Sequence, residues 1–374
     1  MNLHTPSPEQ HNRSLTLLEV IKNLIAQHDG WLPFDAYMNA ALYTPHLGYY
    51  SNESSPFADF VTAPLLSPLF GACLAEQALE VFERTGEARI LEIGAGTGRL
   101  AADIVQYLAQ RDVTVEYFIL ELSAHLRAQQ QATLADAGFH NVTWLDELPQ
   151  QVVGMIVGNE VLDAMPVKLI GMSRGAWFER GVVWDGAALQ YADRQTDLTL
   201  PTDAAWQDAL RDSGATYISE SQTQQVAFMH SIGACLARGV IVMIDYGFPA
   251  HEFYHPQRNT GTLMCHIQHV AHDNALYCVG VQDITTHVNF SALAQIDGLT
   301  TIGYTNQANF LINTGILNLL SHSDEQRVHA NRVSKLLSEA EMGELFKVMA
   351  WQKGLDMTDD VLIGFERGDR LYSL

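Results

Sequence analysis

The sequence predicts an α/β fold built on a seven-stranded, mostly parallel sheet that closes with an antiparallel hairpin. Three observations predict it. Residues 89–93 (Arg-Ile-Leu-Glu-Ile) are a short apolar run of the kind buried on both faces of a parallel sheet. Gly94, Gly96 and Gly98 follow at once, and residues 100–109 then carry apolar groups at helical spacing. A second strand, residues 115–120, ends in Glu121, 23 residues beyond Gly98. Glycines at a strand-to-helix turn let backbone approach a ligand, and the helix N-terminus offers it N–H groups. A carboxylate at the tip of the second strand is placed to accept hydrogen bonds from a ribose diol.

The other elements follow in order. Residues 14–28 read as a helix, with Ser14 as N-cap and Asp29-Gly30 as its stop. Residues 34–42 and 67–83 read as two more, the latter with Pro68 in its first turn. The aromatic-rich segment 43–50 and the loop 51–64 lie between them. Residues 124–137 form a helix, 141–145 a third strand ending near Asp146, and 152–158 a fourth strand running into Asn159-Glu-Val-Leu-Asp-Ala-Met-Pro166. Short β segments at 168–172, 177–184 and 189–192 suggest an inserted meander, followed by a polar linker with a short helix at 195–214. Residues 222–236 are helical, and 239–247 form the fifth strand, its apolar run ending at Asp245. Residues 248–288 read as a long irregular loop, of the length that is usually functional. Helices are expected at 290–294, 306–320 and 324–337, and the closing hairpin is read from 346–351 and 362–374. The chain divides accordingly into an N-terminal helical or lid region (1–87), a cofactor-binding half of the core (88–166), an inserted meander and linker (167–220), a core helix and fifth strand (221–250), a substrate loop and helical subdomain (251–340) and the closing hairpin (341–374).

Composition bounds the function. Of the 374 residues, 47% are hydrophobic and 17% charged, which describes a globular chain with a sizeable core. Asp+Glu number 43 against 21 Lys+Arg, a net charge of −22, and no basic cluster appears; nucleic acid is disfavoured as a partner and a cationic substrate favoured. Cys73, Cys235, Cys265 and Cys278 form no C-x-x-C pair, which fits a reducing compartment. Residues 1–13 contain no apolar signal core, and no apolar run reaches spanning length, so the expectation is a soluble, cytoplasmic protein without membrane insertion.

The glycine turn also selects its ligand. A dinucleotide fingerprint, G-x-G-x-x-G, needs glycine at position 99, which is Arg99. The pattern is E-x-G-x-G-x-G from Glu92, and it resembles motif I of class I (Rossmann-like) methyltransferases that bind S-adenosyl-L-methionine. Ligands of doubly wound sheets bind outside the carboxyl ends of the strands. Residues there divide into a cofactor set (Glu92, Gly94, Gly96, Gly98, Glu121, Asp146 and Asn159) and a catalytic set (Glu160, Asp163 and Asp245). The acidic set could hold a guanidinium fork bidentately and concentrate nucleophilicity on one terminal nitrogen. The bland alternative is that Asp163 caps the turn before Pro166 and Glu160 is solvated. Asn159 is followed by Glu160-Val161-Leu162 rather than Pro-Pro-aromatic, which argues against adenine or glutamine as acceptor. His266, His269 and His272, beside Cys265, have a three-residue spacing that aligns only on a helix; Gly261 and Asp273-Asn274 argue for irregular backbone, so no metal is expected.

Several motifs together resemble the MidA-like S-adenosylmethionine-dependent methyltransferases, a family that includes the mitochondrial complex I assembly-factor arginine methyltransferase. They are Tyr37-Met38, Gly48-Tyr49-Tyr50, Asp59-Phe60, Thr62-Ala63-Pro64, the Glu92–Gly98 motif, Asn159-Glu160 with Asp163-Ala164 and Pro166, Ser219-Glu220, Asp245-Tyr246-Gly247, Gly261-Thr262-Leu263-Met264, and Asp283-Ile284-Thr285. The resemblance implies a class I fold with added helical and β elements, S-adenosyl-L-methionine as cofactor, and a protein arginine as acceptor, on a respiratory-complex subunit in the best-described member. It also puts Tyr246, Glu220, Asp283 and His287 on the substrate side. Departures are Leu65, where the family carries Glu, a shortened loop at 54–58, Ile267, Gln268 and Val270 after Met264, and Thr286 in place of Ala. They lie where substrate or lid would be and leave the acceptor open. Two other readings stand beside the enzyme: a cofactor-binding assembly factor with little turnover, and a small-molecule methyltransferase. A homodimer is left open.

Overall fold

A continuous apolar run buried on both faces is what a central parallel strand requires; of the five parallel strands, those at 89–93, 152–159 and 236–248 carry one, while the outer two, at 116–120 and 142–145, are partly exposed. In the computed structural model the five are β1 (Arg89–Ile93), β2 (Glu116–Leu120), β3 (Val142–Leu145), β4 (Val152–Asn159) and β5 (Leu236–Phe248). With β6 (Thr300–Asn306) and β7 (Phe346–Lys353) they lie in the order β3-β2-β1-β4-β5-β7-β6. The first five are mutually parallel; β7 runs antiparallel to both β5 and β6. Structure is described for residues 6–52, 62–323, 326–357 and 360–374, without the side chains of residues 326 and 327. The expected features at 54–58, Asp59-Phe60 and the helix start at 324 lie outside these residues.

The chain forms two compact units. The core unit comprises Val61–Leu162, Val226–Gly247 and Phe290–Leu374; the accessory unit comprises Met1–Phe60, Asp163–Gln225 and Phe248–Asn289. The stretch 251–340 is therefore shared between them. Helices of the core are α1 (Pro68–Thr85), α2 (Arg99–Ala109), α3 (Ala124–Asp136), α4 (Thr223–Cys235), α5 (Gln307–Asn313), α6 (Ile316–Ser321) and α7 (Gln326–Leu337). Phe70, Leu74 and Ala78 of α1 and Leu100, Ile104 and Leu108 of α2 join Ile90, Val157, Val242 and Val348 of the sheet in one apolar core.

The closing pair of strands is not the one expected. The antiparallel partner of β7 is β6, residues 300–306, while the tail 362–374 contains two short 3-10 turns. Side chains on α1 take the first of the tail's backbone donors, Ile363 N donating to Glu80 Oε2 and Gly364 N to Gln77 Oε1, and further on Arg370 N makes a single bond to Tyr304 O of β6 (2.6 Å).

In the accessory unit, Lys168–Ser173, Ala176–Trp184 and Leu189–Gln195 form the expected meander, which also takes in Leu32–Pro33 and Thr216–Ser221. Leu17, Ile21 and Ile25, one stripe of the helix Pro8–Gln27, pack with Phe34, Met38, Val182 and Ile284. That helix starts at Ser7, not Ser14: Ser7 and Gln10 form a reciprocal capping box, and Ser14 is buried within the helix. The stretch 248–288 is more ordered than expected, with a three-stranded sheet of Met264–Ile267, Val270–His272 and Asp283–Thr285. In it Cys265 pairs with His272 and His266 with Ala271, so His266 and His272 lie on opposite faces of the hairpin, with His269 in its turn.

Candidate active site at the carboxyl ends of the strands

All three glycines of the turn after β1 have left-handed backbone, φ 65° at Gly94, 53° at Gly96 and 80° at Gly98. A side chain would also be crowded at two of them. A Cβ on Gly98 would stand 3.0 Å from Gln130 Cα, and one on Gly94 would stand 3.1 Å from Val161 Cγ2. Gly98 N donates to Ala95 O (2.8 Å) and Gly94 N to Leu120 O (3.2 Å), which closes the turn and fastens it to β2. Helix α2 starts at Arg99 with no side chain capping it, so the N–H groups of its first turn face the concavity. Arg99 is engaged with Asp103, one turn along.

Glu92, on β1, is 2% exposed and accepts from Tyr117 Oη (2.8 Å). Burial lifts its carboxyl to about 7, opposed by the Tyr117 hydrogen bond and reinforced by the charge of Glu121. Glu121 follows β2. Its Oε1 accepts from Ser123 N (2.8 Å) and its Oε2 from Gln130 Nε2 (2.9 Å), and burial raises its pKa. A carboxylate has about four acceptor positions, so roughly one on each oxygen is left for a vicinal diol. Asp146, just past β3, is exposed and pairs with Arg127 Nη2 (2.7 Å), which also donates to Glu121 O and Leu145 O.

The turn after β4 is held by β5. Glu160 N donates to Ile244 O (2.9 Å), and Glu160 itself has φ +54°, a left-handed conformation costly for a residue with a side chain. Asn159 Nδ2 donates to Glu160 Oε1 (3.0 Å); Asn159 Oδ1 is buried and has no hydrogen-bond partner among the described residues. Asp245 does not present its carboxylate to an acceptor as expected. It is fully buried, Oδ2 accepts from Val161 N (3.2 Å) and Leu162 N (2.9 Å), and Oδ1 accepts from Tyr246 N (2.9 Å). Asp245 is thus a positioning residue for the turn that carries Asn159 and Glu160. The ring of Tyr246 packs edge-on against Phe346, 5.5 Å away.

Asp163, Glu220, Asp283 and His287 belong to the accessory unit. The backbone oxygen of Asp163 accepts from Thr286 N (3.0 Å). Asp283 Oδ1 accepts from Tyr50 Oη (2.9 Å) and Ile284 N (2.9 Å); burial pushes the Tyr50 hydroxyl well above its ordinary pKa, with the Asp283 and Asp163 charges adding to it. Glu220 is fully buried. Its Oε1 accepts from Thr262 N (2.7 Å) and Leu263 N (2.8 Å), its Oε2 from Ser219 Oγ, and burial raises its pKa. His287 N donates to Thr262 Oγ1 (3.0 Å), and its ring stacks on Phe248 at 5.0 Å. The Glu220 carboxylate and the backbone of His287 fasten Thr262 and Leu263 within their own unit. Among the described residues no group of three or more His, Cys, Asp or Glu is arranged to hold a metal.

Sequence reading missed Gln130 and Arg127, whose side chains join the strand-end loops. Neither position carries a periodic signal, because a polar residue on a helix reads as solvated until the neighbour it packs against is known.

The residues at the strand ends fit S-adenosyl-L-methionine. Glycines without Cβ leave a backbone cradle, α2 offers N–H donors, and Glu121 keeps acceptor positions for the ribose. When bound, that cofactor supplies an electrophilic methyl group. Comparisons with known proteins agree. The model of a family of S-adenosyl-L-methionine-dependent methyltransferases matches residues 73–305. A Burkholderia thailandensis protein crystallised with S-adenosyl-homocysteine is 43% identical, with a TM-score of 0.92 and all of both chains covered. A native crystal structure from the same organism is 44% identical at a TM-score of 0.89. The human mitochondrial protein arginine methyltransferase NDUFAF7 is 25% identical over 84% of this chain and 78% of its own, and its Caenorhabditis elegans homolog 26% over 75% and 72%. The chain therefore belongs to this family of S-adenosyl-L-methionine-dependent methyltransferases, with the class I fold.

Proposed function

We propose that the methyl acceptor is an arginine side chain of a protein partner. The observation that carries this reading is the turn after β4. There Glu160 is held at φ +54° beside Asn159, whose buried Oδ1 has no partner among the described residues. A carboxylate and an amide oxygen are both acceptors, and a guanidinium is a planar fork of donors that stays charged in ordinary sites. Glu160 would hold that fork and orient one terminal nitrogen, while Asp245 keeps the turn in place through Val161 N and Leu162 N. The net charge of −22 favours a cationic partner, and the relatives at 23–26% identity are named protein arginine methyltransferases.

The test is to incubate purified protein with S-adenosyl-L-methionine labelled in its methyl group and a cell lysate, then hydrolyse the labelled material. A labelled protein band that yields methylarginine, lost with Glu160→Gln, is the expected result. Label confined to small molecules would overturn the arginine reading. Cofactor binding with no labelled product would favour an assembly factor.

A further inference from the structure

The face of α3 that meets the glycine turn is polar, which is unusual for a surface buried against a core. Gln130 is completely buried and uses its whole amide. Nε2 donates to Gly96 O (3.0 Å) and to Glu121 Oε2 (2.9 Å), while Oε1 accepts from Trp144 Nε1 (2.9 Å). The partners dictate which end of the amide is which. An indole can only donate, and a carboxylate and a carbonyl can only accept, so the amide cannot flip without breaking all three bonds. The contact is tight in the backbone as well, since a Cβ on Gly98 would stand 3.0 Å from the Cα of Gln130. One turn along, Thr133 Oγ1 donates to Thr97 O (2.7 Å).

We infer that Gln130 is a positioning residue for cofactor recognition: it fixes the Glu121 carboxylate and the carbonyl of Gly96 in one register, so that the remaining acceptor positions of Glu121 meet the ribose diol. The inference rests on the S-adenosyl-L-methionine family assignment and is independent of the acceptor. Glu121 Oε1 is already fixed by Ser123 N within the same loop. Without the Gln130 donor on Oε2 the carboxylate could rotate about its last torsion, and the diol would meet a mobile acceptor.

The test separates positioning from support by changing protein and ligand together. S-adenosylhomocysteine and its 2′,3′-dideoxy analogue would be titrated calorimetrically into wild type, Gln130→Leu and Trp144→Phe. Wild type should prefer the diol by roughly 10–100-fold, as expected for hydrogen bonds to a charged group. In Gln130→Leu the expected result is a loss of affinity for S-adenosylhomocysteine with the preference reduced to less than about 3-fold, because the analogue has little left to lose. Trp144→Phe removes the donor on Gln130 Oε1 and leaves both Nε2 bonds in place, so a preference between those of wild type and Gln130→Leu is expected. Equal losses for both ligands would assign Gln130 a supporting role only and overturn the inference, as would an unchanged preference in both variants.

Discussion

Buried carboxylates sit at loop ends in both units, and they differ from one another in how much of each carboxylate is already engaged. In the accessory unit, Glu220 is wholly enclosed and accepts from Thr262 N, Leu263 N and Ser219 Oγ. In the core unit, Asp245 is the counterpart, with three backbone donors on its two oxygens. Glu121 differs from both: it accepts one bond on each oxygen and stands at the edge of the glycine turn. A buried acid beside a strand end is therefore not a site by virtue of its place. It holds a loop when backbone N–H groups occupy it, and it can hold a ligand when acceptor positions are left over.

The contrast can be broken most forcefully at its two loop-holding acids. Asp245→Ala should cost about 2–4 kcal/mol, because buried backbone donors of residues 161, 162 and 246 lose their acceptor. Hydrogen exchange should show lost protection at the turn after β4, and cofactor binding should weaken. Glu220→Ala should cost a similar amount, but the lost protection should map to residues 261–263 and leave the affinity for S-adenosylhomocysteine within about 2-fold of wild type. Loss of cofactor binding in Glu220→Ala would erase the distinction between the two acids.

Glu92 sharpens the contrast through pH. Its carboxyl is raised from 4.5 to about 7 in the folded chain, so the stability it contributes is fully present below pH 4.5 and is lost as pH rises through about 7. Glu92→Gln removes that titration. Its stability relative to wild type should grow between pH 4.5 and 7, by at most ~3 kcal/mol, and then level off. Denaturant unfolding at a series of pH values measures this, and parallel curves for the two proteins would contradict it. The smallest effect is expected at Glu160. Glu160→Gly relieves a left-handed residue and should raise stability by up to about 1 kcal/mol while abolishing methyl transfer. A destabilised variant that retains transfer would remove Glu160 from the site.

These differences also explain what the sequence made legible. β1, β4 and β5 could be read because strands buried on both faces need unbroken apolar runs, β2 and β3 from shorter β-prone stretches that are partly exposed, and the last residues of all five mark the ligand side of the sheet. β6 was missed: Thr300-Thr-Ile-Gly-Tyr-Thr-Asn306 is a sheet-edge strand with few apolar residues. The tail was misread for the opposite reason, since Leu362, Ile363 and Phe365 are apolar but their segment is anchored by Glu80 and Gln77. The hairpin at 264–272 was hidden because its turn places Gln268 and His269 at φ 46° and 63°, a geometry usually announced by Asn-Gly or Asp-Gly. Of the site, the glycine turn, Glu121 and the Asn159–Glu160 turn were legible from their place after strands. Which of the neighbouring acids were engaged by backbone donors was not, because those donors come from residues as far away as Val161 is from Asp245 in the chain.

The central claim is that the β1 turn and Glu121 together hold S-adenosyl-L-methionine, and calorimetric titration of wild type and Glu121→Ala tests it most directly. One cofactor should bind each wild-type chain, and Glu121→Ala should weaken binding by about 1–3 kcal/mol, since the ribose hydroxyls lose their charged acceptor. Equal affinity in the two proteins would contradict the claim.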